Sequence, residues 1–140
     1  MADVLFVCRA NLIRSQMAEA IFNNLARGKY AAESAGSKPE MYAGKRLEDV
    51  NPMVVRSLKE KGYDAAENKI KQIDERYCKD VKKIVCMTGD IALPPYANKS
   101  KVVYWNLPDL CDASMVEYNA LRDAIEMRVR NLIAELDKAT

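Results

Sequence analysis

Four consecutive apolar residues, Val4-Leu5-Phe6-Val7, stand near the start of the chain, the pattern of a strand buried on both faces of a parallel sheet. From Ser15 onward the apolar positions Met17, Ala18, Ile21, Phe22 and Leu25 recur at spacings of three and four, which predicts a helix that Gly28 terminates. Residues 30–35 read as a second strand ending at Gly36, and residues 37–50, rich in Lys, Glu and Gly, as an exposed loop. Asn51-Pro52 opens a further helix, a capping side chain followed by proline at the first helical position, which runs to Gly62. A short helix over 72–79, a third strand over 81–87 and a fourth over 102–105 follow, the last two separated by the turn region Leu93-Pro94-Pro95. Ser114-x-x-Glu117 is a capping box for a last helix with the stripe Leu121, Ile125, Val129, Leu132 and Leu136. Strands alternating with helices predict an α/β fold: a single three-layer domain over residues 1–140, with a four-stranded parallel sheet covered by helices on both faces.

Composition narrows the chemistry more than the fold. The 140 residues include 22 basic and 20 acidic side chains, a net charge of +2. That is too little for a protein that works by neutralising many nucleic-acid phosphates, so any anion site is focal. No apolar run of 18 residues suggests a membrane span, and the acidic start of the chain does not look like a signal peptide. The chain has no histidine. Ser-His-Asp and Cys-His catalysis and histidine metal sites are thereby excluded. Four cysteines, Cys8, Cys78, Cys86 and Cys111, form no C-x-x-C pair, which speaks against a zinc site or a disulfide framework and for a reducing, cytoplasmic setting.

In an open parallel sheet, ligands bind beyond the carboxyl ends of the strands. The turn after the first strand is Cys8-Arg9-Ala10-Asn11-Leu12-Ile13-Arg14-Ser15. The spacing C-x5-R alone is a weak signal, but here the cysteine ends a strand and Arg14-Ser15 begins a helix, so the intervening amides can curl around an anion. Near a positive helix end, Arg14 and several amides, Cys8 is favoured as the thiolate, the nucleophilic form. The Arg14 guanidinium presents a fork of donors to two phosphoryl oxygens. Ser15 can donate to the sulfur, and Asn11 tolerates a left-handed backbone. Phosphoester cleavage also needs a proton donor for the leaving oxygen, and in a chain without His that role falls to a carboxyl group.

At these residues the sequence resembles the low-molecular-weight protein tyrosine phosphatases and the thioredoxin-coupled arsenate reductases that share their fold. Besides Cys8 to Ser15, the likeness includes the continuation to Ala20, Ser34-Ala35-Gly36-Ser37, Val50-Asn51-Pro52 and Trp105-Asn106-Leu107-Pro108-Asp109. The resemblance implies Cys8 as nucleophile, Arg14 as phosphate clamp and Asp109, beside Leu107, Pro108 and Leu110, as general acid, with Asp112 as the fallback. It also implies Arg9, Ala10, Asn11, Leu12, Ile13 and Ser15 as the loop that binds substrate, with no metal or cofactor. Tyr42, in Met41-Tyr42-Ala43-Gly44, corresponds to the aromatic wall for a phosphotyrosine ring, with the surface-aromatic alternative open; Lys38, Lys45 and Arg46 can attract an anionic substrate.

Four positions depart from the family pattern. Ala10 stands where glycine is usual, Ile13 where many members have a second cysteine, Leu110 where a proline follows the acid, and Arg9 adds a charge in the loop. The segments Arg14 to Glu19 and Val50-Asn51-Pro52 look more like the reductase branch, whose chemistry demands further thiols. Thr88 occupies the place of its second cysteine, so Cys86, two residues earlier, or Cys111, next to the proposed acid, would have to substitute. The resulting expectation is a phosphatase acting on a phosphotyrosine-bearing protein or a small phosphomonoester through a phosphocysteine. The alternatives are an arsenate reductase served by thioredoxin or glutaredoxin, and a non-catalytic phosphate-binding or phosphoryl-carrier protein.

Overall fold

A computed structural model of the chain describes residues 2–89 and 93–139. The uninterrupted apolar run becomes β1 (Val4–Cys8), every residue of which is buried. It lies in the middle of a parallel sheet ordered β2-β1-β3-β4, with β2 at Ala32–Gly36, β3 at Lys83–Cys86 and β4 at Val102–Tyr104. A central parallel strand has no solvent-facing side, which is why it carries no polar alternation.

The two faces are covered unequally. Val4, Phe6 and Cys8 point toward a large core that also holds Met17, Ile21 and Phe22 of α1 (Arg14–Ala26). Leu58 of α3 (Pro52–Lys59) and the whole predicted stripe of α5 (Met115–Lys138) belong to the same core. Leu5 and Val7 point to a smaller cluster with Ile73, Val81, Ile84 and Cys78, the last from the single-turn helix α4 (Glu75–Cys78). Burying side chains of this size stabilises the fold by about 1.5–3 kcal/mol each, so the α1/α3/α5 face dominates. Phe6 is its hub, with ring centroids 6.0 Å from Phe22 and 5.6 Å from Trp105.

The capping box of α5 forms as predicted: Ser114 Oγ accepts from the Glu117 amide, and the Glu117 carboxylate accepts from the Ser114 amide. Two local expectations are corrected. Residues 37–50 are not a plain loop: they contain a 3-10 turn (Glu40–Tyr42) and α2 (Leu47–Val50), and Leu47 is fully buried. Asn51 does not cap α3, because its side-chain amide donates instead to the Leu12 carbonyl, 3.4 Å away in the Cys8 loop. Among the described residues, no helix is long and apolar enough to cross a membrane.

Candidate active site

The carboxyl end of β1 runs directly into the loop from Arg9 to Ile13, and α1 begins at Arg14. Ile13 provides no side-chain cap, and the first turn of α1 carries no acidic residue. The helix thus presents amides with open donors to the loop, a ready site for an anion. Asn11 adopts the left-handed conformation at φ 60° that turns the chain back. Ala10 does not lie in that region, so its Cβ brings no backbone strain, and alanine is compatible with this loop in place of the family's glycine.

Cys8 is almost completely buried, with 3% of its surface exposed. Its Sγ accepts from the Asn11 amide at 3.3 Å and lies 2.9 Å from Ser15 Oγ. The direction of that second contact follows from Asn11. Asn11 Oδ1 accepts from the Lys71 backbone amide and from Gln16 Nε2, both at 2.9 Å. A backbone amide can only donate, so the Asn11 Nδ2 group must face the two serines, donating to Ser15 Oγ at 2.7 Å and to Ser34 Oγ at 3.0 Å. Ser15 Oγ already accepts from Asn11 and has its own proton to give to Cys8 Sγ. The sulfur thus receives a hydrogen bond from a backbone amide and one from a hydroxyl.

Arg14 is also buried, at 6% exposure. One guanidinium nitrogen donates to the Met87 carbonyl at 2.7 Å, just past the end of β3, and another lies 3.5 Å from Asp109 Oδ1. The Met87 contact aims the fork, and the Asp109 contact brings the candidate acid to the same opening. Asp109 itself is open, its side chain 72% exposed. It does not lie among Leu107, Pro108 and Leu110 as the sequence suggests, because Leu107 and Leu110 turn away to pack against the large core. Together with Trp105, whose amide donates to the Cys86 carbonyl at 3.0 Å, they fix the loop without a proline at position 110. Asp112 is exposed at φ 51° and has no ion pair with Arg14.

The other predicted residues are distributed as follows. Arg9 is exposed, while Leu12 and Ile13 are half-buried against the large core. Tyr42 is 36% exposed, in a loop whose first residues are laced to the Cys8 loop: the Ser37 amide donates to the Cys8 carbonyl at 3.0 Å and the Lys38 amide to the Arg9 carbonyl at 2.8 Å. Arg46 is occupied by Glu48 and Glu67. All four cysteines are free. Cys86 pairs with Val7 across the sheet, so its side chain leaves on the face opposite Cys8, fully buried and donating to the Thr88 carbonyl at 3.0 Å. Opposite faces of a sheet cannot be bridged by a disulfide without rebuilding the strand. Cys111 is exposed on the Asp109 loop.

Several supporting residues were not singled out from the sequence for a role in the site. Gln16 is fully buried, and its amide group links Asn11 to the Lys69 carbonyl. Ser34 donates to Glu19, and the Glu19 carboxylate also meets Lys71 Nζ at 3.1 Å. Burial pushes the Glu19 carboxyl above its ordinary range, with Lys71 opposing that shift. A polar residue such as Gln16 within an otherwise buried helical face is the one sequence signal that could have pointed to them.

A glutaredoxin arsenate reductase of Synechocystis sp. is 29% identical over 138 residues, covering 97% of this chain and 99% of that protein. A solved arsenate reductase in the phosphate-binding state superposes with a TM-score of 0.82 at 29% identity, over 96% of this chain and 98% of that one. A low molecular weight protein tyrosine phosphatase from T. tengcongensis has the same fold, with a TM-score of 0.81 at 24% identity over 96% and 99% of the two chains. Residues 3–140 match the family described as low molecular weight phosphotyrosine protein phosphatase, and this chain belongs to that family.

Proposed function

We propose that the protein is a cysteine-dependent phosphomonoesterase acting on phosphotyrosine or aryl phosphates. The observation that carries this is the 3.5 Å contact between Arg14 and Asp109, which puts a carboxyl group at the opening of a loop that already holds a thiol and a guanidinium. An ester oxygen leaving phosphorus needs a proton donor at that place.

The phosphate enters with its oxygens against the loop amides and the Arg14 fork. The Cys8 thiolate attacks phosphorus, the bond from phosphorus to the ester oxygen breaks, and Asp109 gives that oxygen a proton. The resulting carboxylate then takes a proton from water as the water attacks the phosphocysteine. The P–S bond breaks, phosphate leaves and the thiolate is restored. Arg14 and the amides act most strongly where charge spreads over the phosphoryl oxygens in the transition state. Tyr42 is our candidate for the aromatic wall. Four free cysteines fit a reducing, cytoplasmic setting.

Arsenate reduction is the alternative reading, favoured by the name of the Synechocystis relative. The Cys8 thiolate would attack arsenic as one As–O bond breaks and that oxygen leaves, protonated, as water, and a second thiolate would then attack the Cys8 sulfur. The As–S electron pair then passes to arsenic, arsenite leaves and a disulfide remains for an external dithiol such as glutaredoxin or thioredoxin to reduce. Cys111 carries this activity, because Cys86 lies on the wrong face. The test is hydrolysis of p-nitrophenyl phosphate and a phosphotyrosine peptide beside thiol-coupled arsenate reduction, each with wild type, Cys8→Ser and Cys111→Ser. Hydrolysis lost in Cys8→Ser and kept in Cys111→Ser supports the phosphatase. Hydrolysis that survives Cys8→Ser excludes it, and arsenate turnover lost in both variants, with negligible ester hydrolysis, establishes the reductase instead.

A further inference from the structure

The two edges of the sheet are finished differently. At β2 the Asn23 side chain takes the place of a further strand: its Oδ1 accepts from the Ala32 amide at 2.8 Å and its Nδ2 donates to the Ala32 carbonyl at 3.0 Å. The Gly36 amide and carbonyl are taken up by Lys71 and Ile73. β4 has no such cover among the described residues. The Trp105 amide donates to the Cys86 carbonyl, and backbone direction alternates along a parallel strand, so Val102 and Tyr104 turn their amides and carbonyls away from β3. The Val102 amide is used by the Lys99 carbonyl, while the Tyr104 amide and carbonyl meet no partner among the described residues. Beside this edge lies a groove of about 270 Å³ between β4 and α5, lined by Lys83, Val103, Trp105, Arg128, Leu132 and Glu135. We propose that the open edge of β4 and this groove form a docking surface for an extended acidic segment of a partner protein, which adds to the sheet as a fifth strand.

A strand that pairs with Tyr104 sends alternate side chains toward α5. There they meet an apolar floor, the nearly buried Trp105 and Leu132, and two cations. Lys83 stands two residues before Val85, which faces the large core, so its stem leaves on the same face. Arg128 lies over the Trp105 ring, 5.9 Å from its centroid, one turn of α5 before Leu132. Charge decides what fits. Lys83, Lys99, Lys101 and Arg128 surround the edge, and none of them joins an ion pair among the described residues; against them the groove has Glu135. A second copy would bring the same four cations to the pairing, and like charges facing one another across strands oppose it. Short, lysine-flanked edges keep a protein from pairing with itself in this way. An acidic strand gives those same lysines and Arg128 their counter-charges, while its main chain takes up the Tyr104 amide and carbonyl. The main-chain bonds supply the pairing and the cations supply the selectivity.

The test is an amide NMR titration of the full chain at low salt. The probe is a capped pentapeptide with valine between two pairs of glutamates, compared with its charge-reversed counterpart, lysine for glutamate, and with a copy N-methylated at its second and fourth residues. Saturable shifts are expected at residues 102–105 and 128–135, with a Kd of about 1 mM or tighter. Binding should weaken about tenfold in Lys83→Glu/Arg128→Glu, and also when salt is raised to about 0.5 M. Tyr104→Pro removes the outward amide without touching a hydrogen bond to β3, and is expected to weaken binding about tenfold, whereas Tyr104→Ala keeps it. The N-methylated peptide makes the same test on the unaltered protein, with the same loss expected. Absence of saturable shifts along the edge overturns the proposal, and so does equal binding of the lysine peptide. An N-methylated peptide that binds as tightly as its parent refutes strand addition. Shifts at the same residues that grow with protein concentration, without peptide, put a second copy in the groove and overturn the acidic partner. Every readout is binding at the edge, so none depends on the activity proposed for Cys8.

Discussion

Gly36 is the residue at which the fold and the site can be tested together. It ends β2 beside the Cys8 loop, and a Cβ placed on it would lie 2.7 Å from the Arg9 carbonyl oxygen, 3.0 Å from the Ala10 carbonyl carbon and 3.0 Å from the Asn11 nitrogen. All three are backbone atoms, so no side chain can swing aside. Carbon and carbonyl oxygen ordinarily approach no closer than about 3.3 Å, so the loop or the strand must give by about half an ångström. The strand is held, because the Gly36 amide donates to the Lys71 carbonyl at 2.8 Å and its carbonyl accepts from the Ile73 amide at 2.9 Å. The loop therefore moves. Gly36→Ala is expected to cost about 1–3 kcal/mol, a fall of roughly 3–10 °C in Tm. Because a displacement of about 1 Å in a catalytic group can cost 100-fold, kcat/KM should fall about tenfold or more, with weaker inorganic phosphate binding. Thermal melts, steady-state hydrolysis and phosphate titration by calorimetry measure the three effects. A variant with wild-type Tm, kcat/KM and phosphate affinity would refute the close approach.

Asp109→Asn should lower kcat about 100-fold or more for esters with poor leaving groups. It should also tighten inorganic phosphate binding, because the anion no longer competes with a carboxylate for Arg14. Arg122 is buried between α3 and α5, donating to the Ser57 carbonyl at 2.8 Å and contacting Glu60, Asn119 and Asp123. Arg122→Ala should lose about 3 kcal/mol in urea unfolding, with activity intact where the protein remains folded. Tyr63, buried and bonded to Glu126, is pushed up to about 12. A folded value above the unfolded one near 10 contributes stability that is complete below pH 10 and is lost as pH rises through 12. Tyr63→Phe should flatten that part of the alkaline stability profile, read from urea midpoints. Glu126 is held below its ordinary value by the Tyr63 hydrogen bond. Its contribution is therefore present above an unfolded value of about 4.3 and is lost as pH falls.

Elements were legible where a local pattern has one physical solution. The run Val4 to Val7 has no polar side to show to water, and the stripe of α5 with its Ser114 cap is self-contained over a few turns. The elements at 37–52 were not, because their conformation depends on what they meet. Leu47 stands among charged residues yet is completely buried, and Asn51 has the makings of a cap but spends its amide on the Cys8 loop. In the site, Cys8, Arg14 and Ser15 were readable from one short turn. Lys71 was not, since no local signal marks a residue whose partner lies more than fifty positions away, as Glu19 does from Lys71.

The sequence by itself determined the chemistry available: in a chain with no histidine and one cysteine between a strand and a helix that starts with arginine, any thiol nucleophile there has to draw its activation from amides, a guanidinium and a hydroxyl. Only the tertiary structure decided which of the other groups can join it. Side-chain direction in a strand alternates with every residue, so the face on which Cys86 emerges depends on its register with Val7 and cannot be read from β3 alone. The same holds for Asp109, which reaches Arg14 only because Trp105, Leu107 and Leu110 pack into the core and carry its loop across the end of the sheet.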